Sequence, residues 1–447
     1  MDILALLQHL NPVLAKTTIR QMSLIIYALL AMTGRVTMLG ISRWTDKGGS
    51  YRTVQRFFQT TIPWVKVFWS FFHTHLEQSE TVYVLAGDEC VMTKSGKQTH
   101  GLDRFFSSLY GKPVPGIALF ALSLIDTQAR RSYPVMAEQV VRTEEEKAAA
   151  KEKKQRRQTQ KKKGEAKRKP GRPKGSKNRN KADVCLTPEL LRIQEMIKQF
   201  LLLVGQALPL AYIALDGHFG NNNALQMVLQ CGLHLVSKLR YDSALYFAYE
   251  GPDKRRKYGD KIDYANIPAK YLKETTTEDD IRTDIYQVAA LHKEFAQPLN
   301  VIIIVKTNIK TGAWAHVILF SSDLDLAWEK VIDYYRLRFQ IEFNFRDAKQ
   351  YWGLEDFMNV KETPVTNAIN LSLFMVNVSQ LLLRYLRHKD SNVNVLDLKA
   401  LYRGHKYVVE TIKLLPEKPD PILLSTIFER ISGLGRIHNP LPSLNSP

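Results

Sequence analysis

Cysteine is scarce: Cys90, Cys185 and Cys231 stand far apart in 447 residues. Three thiols with no close pair argue against a disulfide framework and a cysteine-based zinc site, and fit a reducing compartment. Long hydrophobic runs are also missing. Stretches such as SLIIYALLAM are too short to cross a bilayer, so no membrane partner is expected. The opening MDILALLQHLNPVLAK has no basic segment before its apolar run and reads as a poor signal peptide. No internal repeat is found. Acidic residues are in deficit, with 44 Asp+Glu against 63 Lys+Arg and a net charge of +19. Such an excess favours polyanions, nucleic acid first and an anionic membrane second; the expected location is cytoplasmic and nucleoid-associated.

The excess is localised. Residues 151–181, KEKKQRRQTQKKKGEAKRKPGRPKGSKNRNK, hold 16 Lys+Arg and 2 Glu, a net of +14, leaving +5 for the rest. The folded body is therefore only mildly basic. Within the segment, Gly171-Arg172-Pro173 flanked by Lys and Arg resembles an AT-hook. Such a core would lay Arg172 in a narrow A·T minor groove, where negative potential is concentrated. The alternative is a solvated linker with non-specific phosphate affinity.

Composition divides the remainder. Residues 1–78 read as a helical, DNA-binding region. TMLGISRWTDKGGSYRTVQRFFQ suggests two short helices around Gly-Gly, with Arg43, Lys47, Arg52 and Arg56 on the polar side. A helix-turn-helix reader and a plain helical cap both fit it. Strand-like runs at VYVLAGD, GIALFALSLID and RSYPVMAEQVV, then helix and strand in alternation, predict a mixed α/β layer. Its parts are 79–140, 184–238 and 323–360. A basic excursion at 141–183 and a β-rich block at 239–322 interrupt it. Residues 361–447 read as helical, and NAINLSLFMVNVSQLLLRYLRH as a buried core or partner face.

YYRLRFQIEFNFRDAKQ (334–350) holds Glu342 amid aromatic, apolar and basic residues. At 100° per residue, Tyr335, Arg338, Glu342 and Lys349 fall within about 60° of one another on a continuous helix. An exposed i,i+4 ion pair is the plain explanation. Phe339, Ile341, Phe343 and Phe345 instead suggest a helix buried nearly all round, with its charged face on a cleft. A carboxylate holding a divalent cation, flanked by Arg and Lys, would accept a phosphate.

The pattern Y-x2-R-x3-E-x6-K resembles the YREK signature of bacterial insertion-sequence transposases of the insertion sequence 4 branch. The resemblance implies a ribonuclease-H-like core with a β-rich insertion between the second of two aspartates and the glutamate. It also implies catalysis by two Mg²⁺ ions, with Mn²⁺ as a substitute. Two further carboxylates are then required at rigid positions. Asp88, ending VYVLAGD, looks like the family's first catalytic Asp. Glu89 faces the other way by strand alternation. Asp216, ending AYIALD before Gly-x-x-Gly, looks like the second. Trp314 matches an aromatic that receives a base flipped from the DNA end, although a lone strand Trp is often core.

The expectation is a cut-and-paste DDE transposase. Asp88, Asp216 and Glu342 would hold the metals, and Tyr335, Arg338 and Lys349 would hold phosphates of double-stranded DNA, both terminal inverted repeats and target. A homodimer in a synaptic complex and hairpin ends are what the branch implies. The rivals are a ribonuclease-H-like nuclease or resolvase without strand transfer, and a catalytically dead DNA-binding descendant.

Overall fold

The computed structural model describes residues 2–45, 48–107, 110–148, 151–152, 155, 180–253, 255–388, 390–417 and 419–438. Arg172, Lys47 and nearly all of 151–179 lie outside them. Two compact units are formed. The first comprises residues 1–82, 89–139 and 340–447, and the second 83–88 and 140–339.

The first unit is built on the helix Glu362–Arg387, which buries seventeen side chains from Val365 to Leu383. By length and composition alone it could cross a membrane, but it is the core helix of this unit. Several of its buried polar groups find partners, as burial favours. Asn367 accepts from Trp64 Nε1 at 2.8 Å and donates to the carbonyls of Phe58 and Thr60, both at 2.8 Å. Asn377 donates to Pro134 O at 2.8 Å. The N-terminal helix Lys16–Ala31 ends in carbonyls that need donors. Lys399, on the helix Val395–Ile412, donates to Leu29 O at 2.6 Å, and Arg403 donates to Ala31 O at 3.1 Å.

Strands β1 (Tyr83–Thr93), β2 (Asp103–Ser107), β3 (Lys112–Asp126) and β4 (Arg131–Val140) follow the N-terminal helices. In the first unit β2 pairs antiparallel with β3, and β4 flanks β3. The helix Gln340–Trp352 is anchored here: Asn344 donates to Ser123 Oγ at 3.3 Å and Ser132 Oγ at 2.8 Å.

The second unit carries a large mixed sheet, with the start of β1 at one edge. β5 (Tyr212–Leu215), β6 (His234–Leu239), β7 (Leu245–Ala248) and β8 (Tyr258–Lys261) come next in the chain. β9 (Leu272–Glu278), β10 (Ile281–His292), β11 (Leu299–Asn308) and β12 (Trp314–Ser321) complete it. The order in space is β1-β5-β6-β12-β11-β10-β7-β8, with β9 also on β10. The first three are parallel and the rest antiparallel. The helix Trp328–Arg338 lies on this sheet, packing Val331, Ile332 and Tyr334 against Val84, Ala214, Val236 and Leu319.

Two expectations are corrected, and one of two open readings is disfavoured. The segment 334–350 is not one helix: the hydrogen-bond ladder breaks at Phe339, whose N–H turns back to Arg336 O at 3.2 Å. Phe339 and Phe343 are 48% and 36% exposed, so this stretch is not apolar on a buried surface all round. β1 also runs on to Thr93, so Asp88 sits inside a strand. At the N-terminus, helix Met38–Ser42 has five residues, and residues 43–50 separate it from helix Tyr51–Gln59. That connection is longer than the roughly three- to four-residue turn of a helix-turn-helix.

Candidate active site

Parallel pairing sets the site. β1 and β5 align Leu85 with Ile213, Ala86 with Ala214 and Gly87 with Leu215. The next residues are Asp88 and Asp216, so two carboxylates meet at neighbouring positions along a parallel pair. Ligands of α/β sheets gather at the carboxyl ends of parallel strands. Side chains alternate along a strand. Val84 and Ala214 face helix Trp328–Arg338 in the core cluster, so Asp88 and Asp216, an even number of residues on, head toward the same side.

The helix answers with Tyr335 and Arg338. Arg338 Nη1 donates to Asp88 Oδ2 at 3.1 Å, with the two side chains only 12% and 20% exposed. The guanidinium carbon lies 5.9 Å from the Tyr335 ring centroid. Burial raises the Tyr335 phenol's pKa; Asp216 and Asp88 push the same way, and Arg338 opposes them. Tyr335 is therefore a neutral hydroxyl beside two acids and one guanidinium.

Asp216 is fixed by its turn. Its Oδ1 accepts from His218 N at 3.1 Å, capping the short turn Gly217–Phe219. Its carbonyl accepts from Ser237 Oγ at 2.8 Å. Ser237, fully buried in β6, escaped sequence reasoning. The available signal was a hydroxyl inside the apolar run LHLVSKL. Gly220 is required beside it: a Cβ there would stand 2.2 Å from Lys238 O. His218 pairs outward with Glu189 at 3.4 Å.

Glu342 and Lys349 belong to the first unit, on helix Gln340–Trp352. Lys349 donates to Val91 O and pairs with Glu355, both at 3.0 Å. Burial alone would lower its pKa, but Cys90 and Glu355 outweigh it, so the ammonium is held above its ordinary range. Trp314 is not core. It is 47% exposed at the start of β12, stacked on His316 at 5.5 Å, and it lines a cavity of about 500 Å³ with Lys306 and Thr283. His316 in turn stacks on Tyr264 at 4.4 Å. Arg43 caps helix Met38–Ser42, Arg52 rides on helix Tyr51–Gln59, and both are exposed.

The structure thus brings together Asp88, Asp216, Tyr335 and Arg338. Among the described residues, no three or more His, Cys, Asp or Glu side chains gather as a ready metal-holding group. The aspartate pair suits a hard divalent cation, which prefers carboxylate oxygens. A half-buried aspartate pair faced by one guanidinium and one phenol is a donor set suited to a cation and a phosphate. The family model described as DDE superfamily endonuclease matches residues 5–298, and the chain belongs to that family. The match includes Asp88 and Asp216 and stops short of Trp314 and the helices that carry Tyr335 to Lys349. Among curated proteins none matches the chain. Membership makes this a transposase-like nuclease whose substrate class is DNA and whose relatives generally use divalent metals.

Proposed function

We propose that the chain is a cut-and-paste transposase of the insertion sequence 4 type, with a ribonuclease-H-like core. Asp88, Asp216 and Glu342 would hold two Mg²⁺ ions. When bound, such ions activate the attacking hydroxyl and stabilise the leaving oxygen. Water attacks the phosphorus at the element's end, the P–O3′ bond breaks, and a free 3′ hydroxyl remains. That hydroxyl then attacks a target phosphodiester, and a target 3′ oxygen leaves as the new bond forms. Arg338 and Lys349 bind the charged phosphate oxygens, and Tyr335, kept neutral, donates a hydrogen bond to them. Exposed Trp314 offers a stacking face for a base drawn out of the duplex, and Arg43 and Arg52 add backbone contacts. Ends are processed in pairs, by a homodimer.

The observation that carries this reading is the register of β1 on β5, which sets two aspartates side by side under Arg338. The test uses the purified chain, Mg²⁺ and the DNA flanking its own gene. Cut ends and joined products are expected from the wild type. Asp88→Asn and Glu342→Gln should keep DNA binding and lose cleavage by at least about 10³-fold. Cleavage without joining would favour a nuclease or resolvase. DNA binding indifferent to Mg²⁺, with no cleavage, would favour an inactive descendant.

A further inference from the structure

The first unit contains a second charged cavity, of about 240 Å³, lined by Ser79, Thr81, Asp126, Gln128, Arg131 and Arg384. Among the described residues its basic groups have no acidic partner. Arg384 donates to His75 O, Leu76 O and the Tyr133 hydroxyl, at 3.3–3.4 Å, so its guanidinium is fixed but not neutralised. Arg387, one turn further along the same helix, spends its Nε on Val393 O at 3.0 Å. Burial, and then the charge of Arg131, lower its basicity, so the cations crowd one another. Two of them have a plain explanation: Arg384 and Arg387 stand in the last turn of helix Glu362–Arg387, where positive charge complements the helix dipole. Arg131 does not. It opens β4, half-buried, and makes no ion pair among the described residues.

Asp126 is the second unexplained group. It is 1% exposed. Its Oδ1 accepts from the N–H groups of Gln128 and Ala129 at 2.9 and 2.7 Å, shaping the turn between β3 and β4. Its Oδ2 is buried with no hydrogen-bond partner. Buried acceptors are normally satisfied, and one left over beside a cavity calls for a donor. The cavity therefore pairs an anion-seeking side with a donor-seeking side. A ligand with a phosphate at one end and a separate hydroxyl at the other answers both.

We propose that this cavity binds a phosphate ester that carries a free hydroxyl, the phosphate on Arg131 and Arg384 and the hydroxyl donating to Asp126. Two sources share that chemistry: a free nucleotide, or the hydroxylated end of a DNA strand. The cavity belongs to the first unit, and Asp88 and Asp216 belong to the second.

The test is calorimetric titration of the full chain with 2′-deoxyadenosine 5′-monophosphate, its 2′,3′-dideoxy counterpart and inorganic phosphate. The deoxynucleotide should bind about tenfold more tightly than the dideoxy compound. Arg131→Gln should weaken both by about tenfold or more. Asp126→Asn keeps an oxygen for the turn and removes the charge. It should erase the preference for the hydroxyl and strengthen inorganic phosphate by about two- to threefold. The same comparison on short duplexes ending in a 3′ hydroxyl or a dideoxy nucleotide assigns the source. Arg131-dependent preference on duplexes alone points to DNA ends, and on nucleotides alone to a free ligand. Absence of that preference on both, or affinities untouched by Arg131→Gln, overturns the proposal. Asp88→Asn should leave these affinities unchanged, so a failure here is separable from a failure of the transposase reading.

Discussion

Asp88 Oδ2 already accepts a hydrogen bond from Arg338, and a divalent cation bound to Asp88 must compete for that carboxylate. Charge-assisted pairs with little exposure are among the stronger side-chain contacts. Replacing Arg338 with Gln should therefore raise Mn²⁺ affinity, by about tenfold if the pair is worth about 1.4 kcal/mol. Cleavage should fall at the same time, because the phosphate loses its guanidinium. A Mn²⁺ titration followed by electron paramagnetic resonance reads the first effect without any turnover. Unchanged or weaker Mn²⁺ binding would show that Arg338 does not guard the acid. The partners of this pair were legible as separate residues, Asp88 in a strand-like run and Arg338 in a charged helical spacing. Their contact was not legible, because it depends on the register of β1 on β5 and on which sheet face the helix covers. Neither is encoded in local spacing.

At the scale of elements, apolar content decided what could be read. β3, β5, β6, β10, β11 and β12 carry apolar runs and were expected. β9, LKETTTE, is exposed at every residue and gives no alternation to read. The break at Phe339 was hidden for a related reason: its residues suit a helix throughout, and only the hydrogen-bond pattern changes. The join between helix Lys16–Ala31 and helix Val395–Ile412 was equally invisible, since it rests on a lysine buried more than 360 residues away. Lys399 is 9% exposed, and burial, followed by the charge of Arg403, pushes its pKa down to about 8. In the unfolded chain it titrates near 10.4. Between those values the unfolded chain holds a proton that the folded chain has released, so this lysine makes stability rise with pH. From pH 7.5 to 9.5 the wild type should gain about 2 kcal/mol on Lys399→Met. Denaturant midpoints at the two pH values measure it, and parallel curves for the two proteins would refute it.

Over the whole chain the charge is unevenly distributed. The segment 156–179 contains twelve basic residues and one acidic residue, so its net +11 is more than half of the chain's +19. A run of this kind favours DNA phosphates, whose neutralisation releases counterions. Each DNA phosphate neutralised steepens the dependence of log affinity on log salt by about 0.9. Deleting 156–179 spares Lys181, whose ammonium bonds Lys293 O and whose carbonyl accepts from Asn222. The body should then fold as before, with DNA affinity falling less steeply between about 50 and 200 mM salt. Cleavage at low salt should persist, because the proposed metal ligands Asp88, Asp216 and Glu342 are untouched. Competition between A·T-rich and G·C-rich duplexes then separates the two readings of the segment. If Gly171-Arg172-Pro173 lies in a minor groove, Arg172→Ala alone should remove the A·T preference and leave most of the salt slope. If the segment only neutralises phosphates, Arg172→Ala should behave as any single arginine removed from the run, with no change in preference. A deletion that leaves the slope unaltered would mean that the folded body, at a net of only +8, makes the phosphate contacts by itself.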